Sequence, residues 1–228
     1  MSKKAVITVT FGDSGENHIG NQQIGEKVQE GQGFTLSDFE KARDLIEAKH
    51  PSTNVVIYNL KDLLMNNIGE KNTIETIRQD MLDYIPDTVL IVIENLVSTE
   101  LANNIETELS SLEWDTKYWD TRRKKVLNKR ARSNLCFDRV EQEPDYENGK
   151  GRIVSFNRLP NLDKVKRMIG DIFGEKGQNL IGEGNRYPDR TKNGIGFHGD
   201  AERLKVVALR LNQEDEDGDR GTMPICWQ

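Results

Sequence analysis

Apolar and polar positions change rhythm near Trp114. Before it, short β-branched runs alternate with stretches of helical period. "KAVITVTF" (4–11), "NVVIYNL" (54–60) and "DTVLIVIEN" (87–95) read as strands, the last with the strongest apolar signal. "TLSDFEKARDLIEAKHP" (35–51) carries an apolar stripe of Leu36, Phe39, Ala42, Leu45 and Ile46; Ser37 and Glu40 are spaced for a capping box, and Pro51 stops it. "TIETIRQDMLDYIP" (73–86) and "LANNIETELSSLEW" (101–114) read as two further helices. This alternation predicts a small parallel-sheet α/β domain over residues 1–115.

From 116 to 228 the pattern becomes α+β. "TKYWDTRRKKVLNKRARSNLCFD" (116–138) mixes aromatic and basic residues, "RVEQEPDYENGKG" (139–151) is a polar loop, and "GRIVSF" (151–156) reads as a short strand. "LPNLDKVKRMIGDIFGEKG" (159–177) predicts a helix with Leu162, Val165, Met168, Ile169 and Ile172 on one side, closed by glycines. "NLIGEGNRY" (179–187) and "KVVALRL" (205–211) predict strands of an antiparallel or barrel-like sheet.

A chain of 228 residues with 35% apolar content can bury a core. It shows no apolar run long enough to span a bilayer and no secretory signal, so a soluble intracellular location, cytoplasmic or nuclear, is expected. Cys136 and Cys226 form neither a disulfide framework nor a zinc motif. The net charge of −6 argues against indiscriminate DNA coating, yet the charge is uneven: "TRRKKVLNKRAR" is basic and "NQEDEDGD" acidic.

Between the last two strands stands His198-Gly199-Asp200. On a strand, side chains two apart share a face, so an imidazole and a carboxylate would point together, as two legs of an Fe(II) facial triad do. The same spacing also suits a surface hydrogen bond. Asn185-Arg186-Tyr187, a connecting loop, the run Ile195-Gly196-Phe197-His198-Gly199-Asp200-Ala201-Glu202 and the β run after it resemble the AlkB-like 2-oxoglutarate- and Fe(II)-dependent dioxygenases. In that family an Asn-x-Tyr strand leads into Ile-Gly-x-His-x-Asp-x-Glu. The resemblance covers residues 120–212, with Lys125 to Arg132 similar to the segment that meets nucleic acid in those enzymes. It implies part of a double-stranded β-helix (jelly-roll-like) over 116–228, with His198 and Asp200 as iron ligands. Asn185 and Tyr187 would hydrogen-bond 2-oxoglutarate, with Glu202 nearby as a polar group. Glu202 and Arg203 read alternatively as a solvated face.

The family completes its site with a second histidine and an arginine pair. No histidine follows His198, and Arg220 is the only arginine after Arg210. "TMPICWQ" (222–228) reads as a strand begun and cut off, so the expectation is the N-terminal portion of a dioxygenase, inactive alone and completed by a C-terminal polypeptide. His18, in a Gly-rich loop, is the alternative third ligand, whereas His50 reads as a helix-end residue. Arg122, Arg123, Lys124, Lys125, Lys129, Arg130 and Arg132 are candidate phosphate contacts, with a solvated basic face as the bland reading. Two other functions stay open: a non-catalytic remnant that binds nucleic acid or protein, and a nucleotide-binding domain using "FGDSGENHIGNQQIG" (11–25). That loop fits neither a P-loop nor a G-x-G-x-x-G fingerprint, which favours a structural role.

Overall fold

The computed structural model describes residues 5–67, 88–189, 192–196 and 198–211. The anticipated helix over 73–86, Arg220 and "TMPICWQ" lie outside them. Two compact units are present: Met1–Gly33 with Ser98–Gln228, and Phe34–Val97. These run differently from the anticipated halves at 115/116, because the first strand joins a ladder made with the last described ones.

The first unit begins with strands β1 (Val6–Gly12), β2 (Ser14–Glu16) and β3 (Gln23–Gly25). The second unit holds helix α1 (Leu36–Lys49), strand β4 (Asn54–Asn59), helix α2 (Leu60–Asn67) and strand β5 (Val89–Glu94). The first unit resumes with α3 (Thr99–Ser110), β6 (Lys117–Asp120), β7 (Lys125–Asn128), β8 (Ser133–Asp138) and β9 (Ile153–Ser155). It closes with α4 (Pro160–Phe173), β10 (Ile181–Tyr187) and β11 (Val206–Arg210).

The fold is mixed α/β. Its main sheet has the order β11-β1-β10-β8-β9, antiparallel except for the β8–β9 pair. No closed barrel forms among the described residues. The anticipated parallel sheet of the first 115 residues does not appear among the described residues: β4 pairs antiparallel with β5, and β1 pairs antiparallel with both β10 and β11. Strand–helix alternation favours a parallel sheet but fixes neither the partner of a strand nor the sense in which it pairs. Here β1 instead finds partners more than 160 residues away.

The two faces of the main sheet differ in chemistry. Ile7, Val9 and Phe11 of β1 and Leu135 and Phe137 of β8 are buried on one face. Leu162, Val165 and Ile169 of α4 and Leu101, Ile105 and Leu109 of α3 are buried apolar residues of the same unit. Each such burial contributes about 1.5–3 kcal/mol. Gly182 and Gly184 of β10 lie opposite Phe137 and Leu135, and a Cβ at Gly184 would sit 2.9 Å from the Phe137 ring and 3.1 Å from Trp114. Only glycine fits there. Glu108 of α3 accepts hydrogen bonds from the Asn161 and Leu162 backbone N–H groups (2.9 and 3.1 Å), capping α4, whose N-terminal Leu159 offers no capping side chain. In α1 the capping box forms two residues earlier than the Ser37/Glu40 spacing suggests: Thr35 and Asp38 make it. Both pairs have the i, i+3 spacing, and the observed one starts at the residue with extended backbone.

Candidate functional site

The other sheet face combines a buried apolar cluster of Cys136, Ile153 and Ile181 with a row of polar side chains. Period-two alternation along β10 puts Glu183, Asn185 and Tyr187 on it, where Thr10 and Thr8 of β1 and Cys136 and Asn134 of β8 stand opposite Glu183 and Asn185. Glu183 and Asn185 are buried. Asn185 Nδ2 donates to Glu183 Oε1 at 3.4 Å, while Asn185 Oδ1 is buried without a protein partner among the described residues. Tyr187 is half-buried, and burial raises its phenol above the ordinary value, partly countered by Arg132. It therefore stays a protonated donor at neutral pH.

Arg203 meets this row from the segment before β11. Its side chain is 4% exposed and its Nη2 donates to Glu183 Oε2 at 2.5 Å. Nη2 and Nε also donate to Glu202 Oε1, at 2.6 and 3.0 Å. Nε lies 3.4 Å from Asp200 Oδ2, and Nη1 is buried without a partner among the described residues. Arg203 is thus no part of a solvated face. Glu16 joins the group: burial raises its carboxyl, and Glu202 and Glu183 raise it further.

His198 and Asp200 lie in the connection between β10 and β11, not on a strand as their spacing suggests. Gly194, Gly196 and Gly199 interrupt this stretch, and no strand pairs with it among the described residues. The two side chains still face each other, with His198 Nε2 3.5 Å from Asp200 Oδ1. His198 Nδ1 is 2.8 Å from the Gly196 carbonyl oxygen. A carbonyl only accepts, so Nδ1 carries a hydrogen, and Nε2 is the ring nitrogen that faces the carboxylate. A proton on Nε2, as in an ordinary imidazolium–carboxylate pair, or a shared cation would each satisfy that arrangement. The spacing suits two ligands that share one ion at bonds of about 2.1 Å. Metal-bound histidines commonly hold their other ring nitrogen in a hydrogen bond of this kind. Among the described residues, no cluster of three or more His, Cys, Asp and Glu side chains is placed to hold a metal. His18 does not complete one: its ring packs on Tyr118 with centroids 3.7 Å apart. Burial, then Lys129 and Arg132, lower its imidazole to about 4.

The Gly-rich loop after β1 holds the site rather than forming a phosphate cradle. Asp13 accepts the N–H groups of Val28 (2.8 Å), Leu204 (3.0 Å) and Lys205 (2.8 Å). The Ser14 hydroxyl donates to the Glu202 carbonyl, and Lys27 Nζ to that of Ala201 (2.6 Å). These bonds fix residues 201–205 from three sides.

The basic segment is the β6–β7 hairpin. Its turn presents exposed Arg122, Arg123 and Lys124, with Lys125 and Arg130 also exposed. Lys124 adopts a left-handed φ of 49°, and Asp120 accepts the Arg123 N–H at 2.7 Å. Lys129 and Arg132, by contrast, are partly buried and have acidic or carbonyl partners inside. Lys129 Nζ donates to the Asn17 carbonyl (2.9 Å) and to Asn134 Oδ1, and burial lowers its ammonium to about 8. Arg132 Nη2 lies 3.9 Å from Glu183 Oε1.

The structure links Asn185 to Asp200 through two residues the motif does not name as ligands, Glu183 and Arg203, and places Tyr187 on the same strand face as Asn185. A signal for Glu183 was present: in "EGNRY" it precedes Asn185 by two, on a strand whose alternate positions are glycine. No family model matches the chain, and no solved structure matches it. The chain is 35% identical over 211 residues to the uncharacterized protein R156 of Acanthamoeba polyphaga mimivirus, a match covering 91% of this chain and 74% of that protein.

Proposed function

We propose that this chain, which belongs to the same family as the mimivirus protein R156, is an AlkB-like Fe(II)- and 2-oxoglutarate-dependent dioxygenase chain. His198 and Asp200 supply two iron ligands, and Asn185 and Tyr187 hold the co-substrate. The reading carries with it a jelly-roll-like β-helix, of which the five-stranded sheet would form one layer. The observation that supports it most is the His198 Nε2–Asp200 Oδ1 pair at 3.5 Å with Nδ1 committed to Gly196. Bound there, iron with 2-oxoglutarate supplies oxygen activation for hydroxylating a substrate such as an N-alkylated base. The chain's own residues bind and orient. Tyr187 offers a protonated phenol to a carboxylate, and the buried sheet face excludes water.

Mn(II), a redox-stable stand-in, tests this by paramagnetic resonance titration. 2-Oxoglutarate should raise the Mn(II) affinity by about tenfold, because each then ligates or contacts the other. His198→Ala and Asp200→Ala should remove both the binding and the coupling. Mn(II) binding that ignores both substitutions would sink the iron reading.

A second reading, a nucleic-acid-binding module without turnover, is favoured by the exposed basic hairpin. Fe(II)-dependent conversion of 2-oxoglutarate to succinate by the complete assembly separates the two. Both readings share one expectation. Affinity for single-stranded oligonucleotide should fall steeply with salt, and reversing the charges of Arg122, Arg123 and Lys124 should flatten the logarithmic slope by roughly 2. Lys129→Gln should leave the slope unchanged, since its ammonium is engaged inside. Salt-indifferent binding would remove the nucleic-acid partner.

A further inference from the structure

We propose that Arg132 and Tyr187 form a binding site for the carboxylate of a small organic acid, on the polar part of the main sheet. The site uses Tyr187, which the reading above gives to the co-substrate, but it needs no metal and is tested apart from iron. Strand register places the two residues together. Ser133 and Arg186 are the last pair of the β8–β10 ladder, so Arg132 and Tyr187 come next, on the face that carries Asn134 and Asn185. Electrostatics agree. Burial raises the Tyr187 phenol and Arg132 acts against it; burial, then Lys129 and Arg132, lower the nearby His18 imidazole.

Both residues have hydrogen-bonding capacity to spare. The Arg132 side chain is 26% exposed, and among the described residues its guanidinium makes no hydrogen bond. Its acidic neighbour, Glu183 Oε1, stands 3.9 Å away, and Glu183 is already matched by Arg203, whose Nη2 donates to Oε2 at 2.5 Å. Arg132 therefore carries a positive charge that its surroundings leave largely unmatched. Lys129, the other cation close by, is engaged by Asn17 and Asn134. The half-buried Tyr187 hydroxyl also lacks a hydrogen-bond partner among the described residues. These groups select the ligand. One unmatched cation calls for one negative charge, and a planar guanidinium fork fits the two oxygens of a carboxylate. The phenol adds a neutral donor. A phosphodiester carries one charge too, yet in a strand its flanking phosphates would be repelled by Glu183; the exposed cations of the hairpin turn suit them better.

NMR titration of the chain with succinate, in buffer stripped of metal ions, tests this. Amide shifts should saturate at residues 132–134 and 185–187. Arg132→Met should weaken binding about 10–100-fold and Tyr187→Phe about tenfold, the losses expected of hydrogen bonds to a charged group. Because its guanidinium has no hydrogen-bonded partner to lose, Arg132→Met should melt no lower than wild type. Absence of saturable binding, or wild-type affinity in either variant, overturns the proposal. So does a large drop in the melting temperature of Arg132→Met, which would make Arg132 a structural partner of Glu183. A thymidine dinucleotide that displaces succinate at equal concentration would assign the site to nucleic-acid phosphate and overturn the carboxylate assignment. None of these outcomes touches His198 or Asp200, so the Mn(II) titration above judges the iron reading separately.

Discussion

Glu183→Ala is expected to destabilise the chain by about 3 kcal/mol in denaturant unfolding, because it strips the closest partner from a buried guanidinium. The value sits at the low end for a broken buried pair since Glu202 remains 2.6 Å from Arg203 Nη2. Glu183→Ala with Arg203→Met should recover much of the loss, as no unpaired charge is then left inside. Additive losses in that double variant would show that Glu183 acts through packing rather than through the arginine. Full stability of the single variant would mean that Glu202 and Asp200 suffice for Arg203.

Asp13→Ala should cost about 2–4 kcal/mol, since it leaves the partly buried Val28 and Leu204 amides and the buried Lys205 amide without their acceptor. Hydrogen exchange should speed at Leu204 and Lys205 above the global change, marking release of the segment that carries Arg203. The pH dependence has a definite sign. Burial pushes the Asp13 carboxyl up, and the backbone N–H groups of Val28, Lys205, Asp13 itself and Leu204 more than offset this, so it titrates below its ordinary 3.8. A depressed carboxyl contributes stability in full above its unfolded value and loses it as pH falls through the lower folded one. The gap between wild type and Asp13→Asn should therefore hold steady above about pH 4 and narrow below it. A gap that widens in acid would contradict the assignment.

Most local structure was legible along the chain. Strands at 6–12, 54–59, 89–94, 153–155, 181–187 and 206–210 and helices at 36–49, 99–110 and 160–173 occupy the segments their periodicity marks. Local preference and alternation act within a few residues, so they can be read without knowing partners. That same alternation put Asn185 and Tyr187 on one face. Partner choice was another matter. β1 pairs with β10 and β11, and β4 with β5 in antiparallel sense, through contacts whose selection depends on burial across the whole unit. The inward turn of Lys129 and Arg132 was equally hidden, because in a basic run the sign of the charge says nothing about which residues meet a buried acceptor.

For the site, the sequence by itself determined which residues carry candidate chemistry: His198, Asp200, Asn185 and Tyr187, all readable from spacing and from the family resemblance those residues carry. Only the tertiary structure decided how they are held. His198 and Asp200 sit in a glycine-interrupted connection, and their facing pair arises from a turn rather than from strand alternation. Glu183 and Arg203, 20 residues apart, became partners because burial makes an unpaired charge costly and the sheet brought the two within reach. The Gly-rich loop after β1 took its role the same way, since Asp13 could meet the amides of Leu204 and Lys205, more than 190 residues on, only after β1 and β11 had paired.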